Sequence, residues 1–264
     1  MSSFGRRHQE RAAQVVCRAA LFLLLVGVWE FLARSGVLNA FYSSQPSRIL
    51  LDFPDFYISG NLFKHTAVTL SEALWGLLCG TLAGIAAAFL LGMFDFLGKV
   101  IEPFITALYG IPKLALAPIF VLWFGLGIES KVIMSGLLVF FLVFFSTYGG
   151  IKSVDRNILT SVRLMGATRM QFIFKVVLPS CVPWILAGVR GGLGASLIGA
   201  IVGEYFGGPR ESLGVYILQE AQLFRFDNAW AAIIISALLG IAFYLIILAA
   251  ERIAIPWHAS VDRQ

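Results

Sequence analysis

Two cations and a carboxylate stand inside stretches that are otherwise almost wholly apolar. Lys113 directly follows Pro112, Arg190 interrupts the run Ile185 to Phe206, and Glu204 lies near the end of that run. A charge at mid-bilayer costs about 2.5 to 3.5 kcal/mol on insertion scales, so each needs a partner, a wet cavity or a place near the interface. The chemistry open to such groups is recognition of a charged solute on its way through the membrane. For Arg190 the alternative is structural: it sits seven residues past Pro183, ~10 Å into a helix starting there, a depth from which it can snorkel or cap. Pro112 frees backbone carbonyls that Lys113 can satisfy, which predicts a broken helix beside a pathway. Glu204 lies ~21 Å beyond Arg190 on a single helix, too far to pair with it. Bond-making sets are missing from the sequence. His8, His65 and His258 have no second ligand four residues on, and Cys17, Cys79 and Cys181 show no Cys-x-x-Cys spacing and read as small buried hydrophobes. Neither a Gly-x-x-x-x-Gly-Lys-Ser/Thr phosphate loop nor a His-Glu-x-x-His motif occurs.

The elements that position these charges follow from composition. Of 264 residues, 59% are hydrophobic and only 13% charged, and the mean hydropathy is +0.85. A soluble domain averages about 25% charged residues, so this chain cannot cover itself with a polar surface in water. Several windows reach the roughly 20 apolar residues that cross ~30 Å of hydrocarbon. The predicted fold is all-α, a single transmembrane domain over 1–264 with a core from about 65 to 250 and six spans. Three spans, Ala73 to Phe94, Val132 to Ile151 and Ala229 to Ala250, hold no charge. Phe104 to Ile128 is interrupted by Pro112, Lys113 and Pro118, and Ile185 to Phe206 carries Arg190 and Glu204. The first span, Ala19 to Ala33, gains length if extended back to Val15; a signal peptide with Arg6, Arg7 and Arg11 as its basic head is the competing reading.

Six spans put both termini on one side. With that side inside, twelve Lys and Arg fall in inner segments against six outside, Arg34, Arg48, Lys64, Lys131, Arg210 and Arg225. The positive-inside rule therefore places both termini in the cytoplasm, and it accounts for the net charge of +5 without nucleic acid. Small residues recur every four positions at Gly76, Gly80, Gly84, Ala88 and Gly92, and again at Ala187, Gly191, Ala195, Gly199 and Gly203. Such rows let backbones approach closely, either within the bundle or between subunits.

The longest inner loop, Lys152 to Pro179, reads as two short amphipathic helices. The first has an N-cap at Ser153 or Asp155 and runs to Met165, with Ile158, Leu159, Val162 and Met165 on one side. Gly166 supplies the stop. The second starts at Thr168, turns Phe172, Ile173, Val176 and Val177 inward, and ends at Leu178-Pro179. A helix, glycine, helix element of this kind is a docking surface, or a hairpin lying on lipid.

Gly166-Ala167-Thr168-Arg169 followed by Val176-Val177-Leu178-Pro179 resembles the cytoplasmic signature loop of permease subunits of bacterial ABC importers. The glycine to Leu-Pro spacing matches. The opening Glu-Ala-Ala is replaced by Thr160, Ser161 and Val162, and Val176 stands for the usual isoleucine. Gln45-Pro46-Ser47-Arg48-Ile49, Ile111-Pro112-Lys113-Leu114-Ala115-Leu116-Ala117-Pro118, Trp123-Phe124-Gly125, Gly149-Gly150-Ile151, Leu186-Ala187-Gly188-Val189-Arg190 and Leu213-Gly214 are similar to the nitrate, sulfonate and taurine branch. The resemblance implies a type I importer permease in a bacterial inner membrane. It implies a second permease copy, a cytoplasmic ATPase dimer that holds the ATP, and an external solute-binding protein; this chain itself would bind no cofactor and no metal. It further implies that the loop around Gly166 couples the ATPase to the spans. The solute would be small and anionic. An ion-coupled secondary transporter is the alternative; it calls for inverted repeats and paired intramembrane carboxylates, neither of which the sequence displays. A membrane-embedded enzyme would need a catalytic cluster, and none is found.

Overall fold

The computed structural model describes residues 3–58 and 61–254. His258, and with it the extreme C-terminus, lies outside them, as does the side chain of His8. Among the described residues every regular element is helical. Five helices are long and apolar enough to cross a membrane, and a sixth span is a pair bent by 80°. The chain divides into two compact units, one of 1–62 with 217–234 and the other of 63–216 with 235–264.

In the first unit, α1 (Ser3–Arg34) is one continuous helix whose apolar window runs Ala13–Arg34, longer than the expected span. The carboxylate near its end, Glu30, has work to do. Glu30 pairs with Arg34 at 2.5 Å and accepts the Ser47 amide and hydroxyl at 3.0 and 2.8 Å, which caps the start of α3 (Pro46–Ile58). Between them α2 (Ala40–Ser43) is capped by Asn39.

The second unit is built around α7 (Ile128–Lys152), which packs α4 (Asn61–Met93) on one face and α10 (Leu178–Gly207) on another. A Cβ added to Gly80 or Gly84 would strike the α7 backbone at Gly136 or Phe140, and one on Gly92 would meet Ile151. The first row of small residues is thus a helix-packing stripe. The second row is only half so. Gly199 and Gly203 press on Ser135 and Lys131, but Gly191 has open space, and at its level Gly188 and Gly192 make the contact.

The third span is broken, as Pro112 requires. Helix α5 (Asp95–Tyr109) ends, a 3-10 turn occupies Lys113–Leu116, and α6 (Ala117–Phe124) leaves at the new angle. Tyr148 donates to Glu102 at 3.0 Å and Lys152 to Asp95 at 3.1 Å, which fastens α5 to the far end of α7. The loop beyond α7 contains α8 (Arg156–Leu164) and α9 (Arg169–Phe172). Then comes a correction. The chain does not stop at Leu178-Pro179 but stays helical through a π-turn at Ile173–Val177 into α10. The Leu178 amide bonds back five residues to Ile173, and Pro179 falls in the first turn of α10, where a missing N–H costs nothing. A final pair, α11 (Leu213–Gln222) and α12 (Phe226–Ala254), completes the order.

Candidate functional site

The loop's helices begin where their side chains can cap them. Asp155, rather than Ser153, accepts the Asn157 amide at 2.8 Å. Thr168 and Gln171 form a reciprocal capping box, with the Gln171 amide on Thr168 Oγ1 and the Thr168 amide on Gln171 Oε1. Gly166 has φ +76°, the left-handed conformation that terminates α8, and nothing lies within 4 Å of the position a Cβ would take.

From there the loop faces two ways. Phe172 and Val177 are buried in one cluster with Ala88 and Leu91 of α4, Phe144, Tyr148 and Ile151 of α7, and Cys181 of α10; Val162 and Ile173 pack against it. The other side is bare: Leu164 is 83% and Met165 84% exposed, and Ile158, Met170 and Phe174 are exposed as well. Ile158 and Met165, expected on the inner side with Val162, therefore face outward. Val162 packs inward as expected, and the side chain of Leu159, expected beside it, lies outside the described residues. Thr160 and Ser161, in place of the usual Glu-Ala, are exposed; Ala167 and Val176 are half-buried, Leu178 half-buried and Pro179 exposed.

Lys113 does what the proline predicted. Its Nζ donates to the Tyr109 carbonyl, left open by the helix break, at 2.6 Å, and lies 4.1 Å from the Tyr109 ring centre and 4.8 Å from that of Phe141. Arg190 is half-buried on α10. Glu204 is elsewhere, 1% exposed: one oxygen accepts Thr69 Oγ1 and the other the Gly214 amide, each at 2.6 Å. The four pathway candidates thus form no single cluster.

Around Glu204 is a buried polar group that sequence reasoning missed. Lys131, counted above as an outer-loop charge, is 0% exposed on α7 and donates to the carbonyls of Leu126, at 2.7 Å, Gly127, at 2.9 Å, and Gly207. Glu72, 1% exposed on α4, stands beside Glu204, and Lys131 lies within electrostatic reach of both carboxyl groups. A buried pair of carboxyl groups, absent from the sequence reading, is therefore present in the fold. The Thr69 hydroxyl also accepts the Leu213 amide, and His65 meets the Ser212 carbonyl at 2.9 Å, so the connector after α10 is laced to α4. The signal was available: Glu72 lies four residues before Gly76, and Lys131 four before Ser135, on the very faces that pack.

These helices, with their broken third span, define a polytopic helical membrane protein, and the rooted loop with its bare apolar side is a surface open to a partner. The family described as the binding-protein-dependent transport system inner membrane component matches residues 80–256. The chain belongs to that family. It is 34% identical to the formylaminopyrimidine transport permease protein ThiX of Halalkalibacterium halodurans, over 94% of this chain and 98% of that one. It is 30% identical to the putative aliphatic sulfonates transport permease protein SsuC of Bacillus subtilis, over 90% and 86%. With the taurine transport system permease protein TauC of Escherichia coli it shares 27% identity, over 94% and 92%. The crystal structure of an amino acid ABC transporter with histidines superposes with a TM-score of 0.57 at 18% identity, covering 75% of this chain and 94% of that one, which supports the type I importer permease fold.

Proposed function

We propose that the chain forms, with a second copy of itself, the gated pathway of an ATP-driven importer for a small anionic solute. The observation that carries this reading is the two-faced loop. Its inner residues, Phe172 and Val177, are rooted in the core shared by α4, α7 and α10, while Leu164 and Met165 offer bare apolar surface beside the open space over Gly166. A bare apolar patch on a well-rooted element suits a partner that moves it. That partner is a cytoplasmic ATPase dimer carrying the ATP, and the loop from Thr160, Ser161 and Val162 through Gly166 and Ala167 to Val176, Leu178 and Pro179 couples it to the spans.

Both termini and this loop lie in the cytoplasm of a bacterial cell, and an external binding protein delivers the solute on the opposite side. Along the route, Pro112 opens the third span and Lys113 offers an ammonium framed by aromatic rings; Arg190 adds a second cation, and Glu204 shapes the outer end from within its buried cluster. A sulfonate, a carboxylate or nitrate fits such cations, and the names of the sulfonate and taurine relatives support that class.

The test is reconstitution in proteoliposomes with ATPase and binding protein, offering taurine, an aliphatic sulfonate, nitrate and formylaminopyrimidine in turn. Uptake of an anion that requires ATP and both partners is expected. Uptake by the chain alone, driven by an ion gradient, would sink the reading.

A further inference from the structure

Among the described residues two that are not glycine have positive φ, Ser44 at 54° and Phe224 at 57°. They lie 180 positions apart in the sequence, yet both belong to the first unit and meet at one cleft of about 320 Å³. Phe224 lines it; Ser44, fully buried, donates its hydroxyl to Asp227, which also lines it.

Phe224 is the more telling of the two. The Arg225 amide bonds to the Glu220 carbonyl at 2.8 Å and the Phe224 amide to that of Ala221 at 3.1 Å, the two bonds of a Schellman closure after α11. The position Phe224 occupies there is the one glycine ordinarily takes, and a bulky side chain in it is a true outlier. Burial does not offset the strain, since Phe224 is 61% exposed. Its ring stacks on Phe41 at 6.1 Å and meets Phe226 at 6.2 Å, and Tyr42 closes on Phe226 at 5.4 Å. The fold holds an aromatic platform at the surface against its backbone preference, and strain of this sort marks functional sites. Exposed Arg48 and Arg225 stand at the rim of the same cleft, with Asp52 and Asp227 in its wall.

We propose that this platform is the socket for the external solute-binding protein, which inserts an apolar side chain into the cleft and sets carboxylates on Arg48 and Arg225. The proposal rests on the importer reading, in whose topology the segments 35–60 and 208–225 are external. Exposed phenylalanine and tyrosine flanked by arginine is the composition of protein-interface anchors. A lipid headgroup would use the same arginines, but the wall carboxylates of Asp52 and Asp227 repel a phosphate entering the cleft, whereas a protein surface can answer both signs.

The experiment uses the permease and ATPase complex in nanodiscs, titrated with its solute-binding protein while ATP hydrolysis is followed. Phe224→Gly removes the ring and puts glycine where the backbone favours it, so the fold does not suffer. The paired charge reversal Arg48→Glu with Arg225→Glu tests the rim on exposed positions. Each is expected to raise the half-stimulating concentration of binding protein about tenfold while the rate at saturation is kept. Unchanged concentrations in both variants, with wild type responding, overturn the socket and leave the importer reading intact. A shift that disappears when phosphatidylglycerol is left out of the nanodiscs overturns it too and assigns the platform to lipid. A wild-type complex deaf to binding protein overturns the importer reading, and the socket with it.

Discussion

Lys131→Met keeps the stem and most of the volume of the buried lysine and deletes its charge. In the fold the ammonium answers three carbonyls, on Leu126, Gly127 and Gly207, and it is the cation within reach of both Glu72 and Glu204. Gly203 passes so close that a Cβ there would lie 3.2 Å from Lys131 Cγ, which leaves little room for the site to rearrange. Removing the donor leaves three buried carbonyls unanswered, and each buried polar group left without its partner costs about 1 to 3 kcal/mol. The cluster lies near the ends of α7 and α10, where water can enter once the lysine is gone, so the lower end, about 3 kcal/mol for the three, applies. At roughly 2 to 4 °C per kcal/mol for a chain of this size, the thermal midpoint in nanodiscs should fall by about 6 to 12 °C. A midpoint within about 2 °C of wild type for Lys131→Met would refute the assignment of the cluster as a brace.

Gly166→Glu should break coupling without harming insertion: the substituted Cβ meets nothing within 4 Å, so its internal cost is the left-handed penalty of order 1 kcal/mol, while the side chain blocks the ATPase surface. Co-purification of the ATPase and binding-protein-stimulated hydrolysis check it, and Gly166→Ala should be milder. In a chain with its three native cysteines replaced, a cysteine at Asp155 should be shielded from an impermeant external thiol reagent in intact cells, whereas one at exposed Glu211 should react; reversal of the pair would invert the topology. Lys113→Gln should lower anion uptake several-fold with assembly retained, and full uptake would return Lys113 to a role in capping the Tyr109 carbonyl alone.

What the sequence made legible was whatever depends on neighbours along the chain. Pro112 announced the broken third span and even the lysine that would satisfy it. Gly166 announced its positive φ, and Thr168 its cap. Span boundaries failed for a physical reason: the second and fourth spans were begun after Glu72 and Lys131 because a lone charge stops a hydrophobic segment. In the fold, Lys64 pairs with Glu211, Glu72 stands beside Glu204, and Lys131 reaches the Gly207 carbonyl as well as those of nearby Leu126 and Gly127. Only a packing argument could find them, since their partners come from other helices.

The same distinction separates the halves of the coupling loop. Its register against the bundle turned on a π-turn that lets the helix run through Leu178-Pro179 into α10, and no residue in Ile173–Val177 is an obvious breaker. The consequence is mechanical. A loop ending at Pro179 would be tethered to the span by a joint, whereas an uninterrupted helix from Arg169 to Gly207 makes the second half of the loop a direct extension of α10. At its far end that helix carries Glu204, bonded to Thr69 and Gly214, and Gly207, bonded to Lys131. In the proposed coupling, a partner that displaces Met170 and Phe174, exposed on this helix, acts on a lever whose other end holds the buried Glu204.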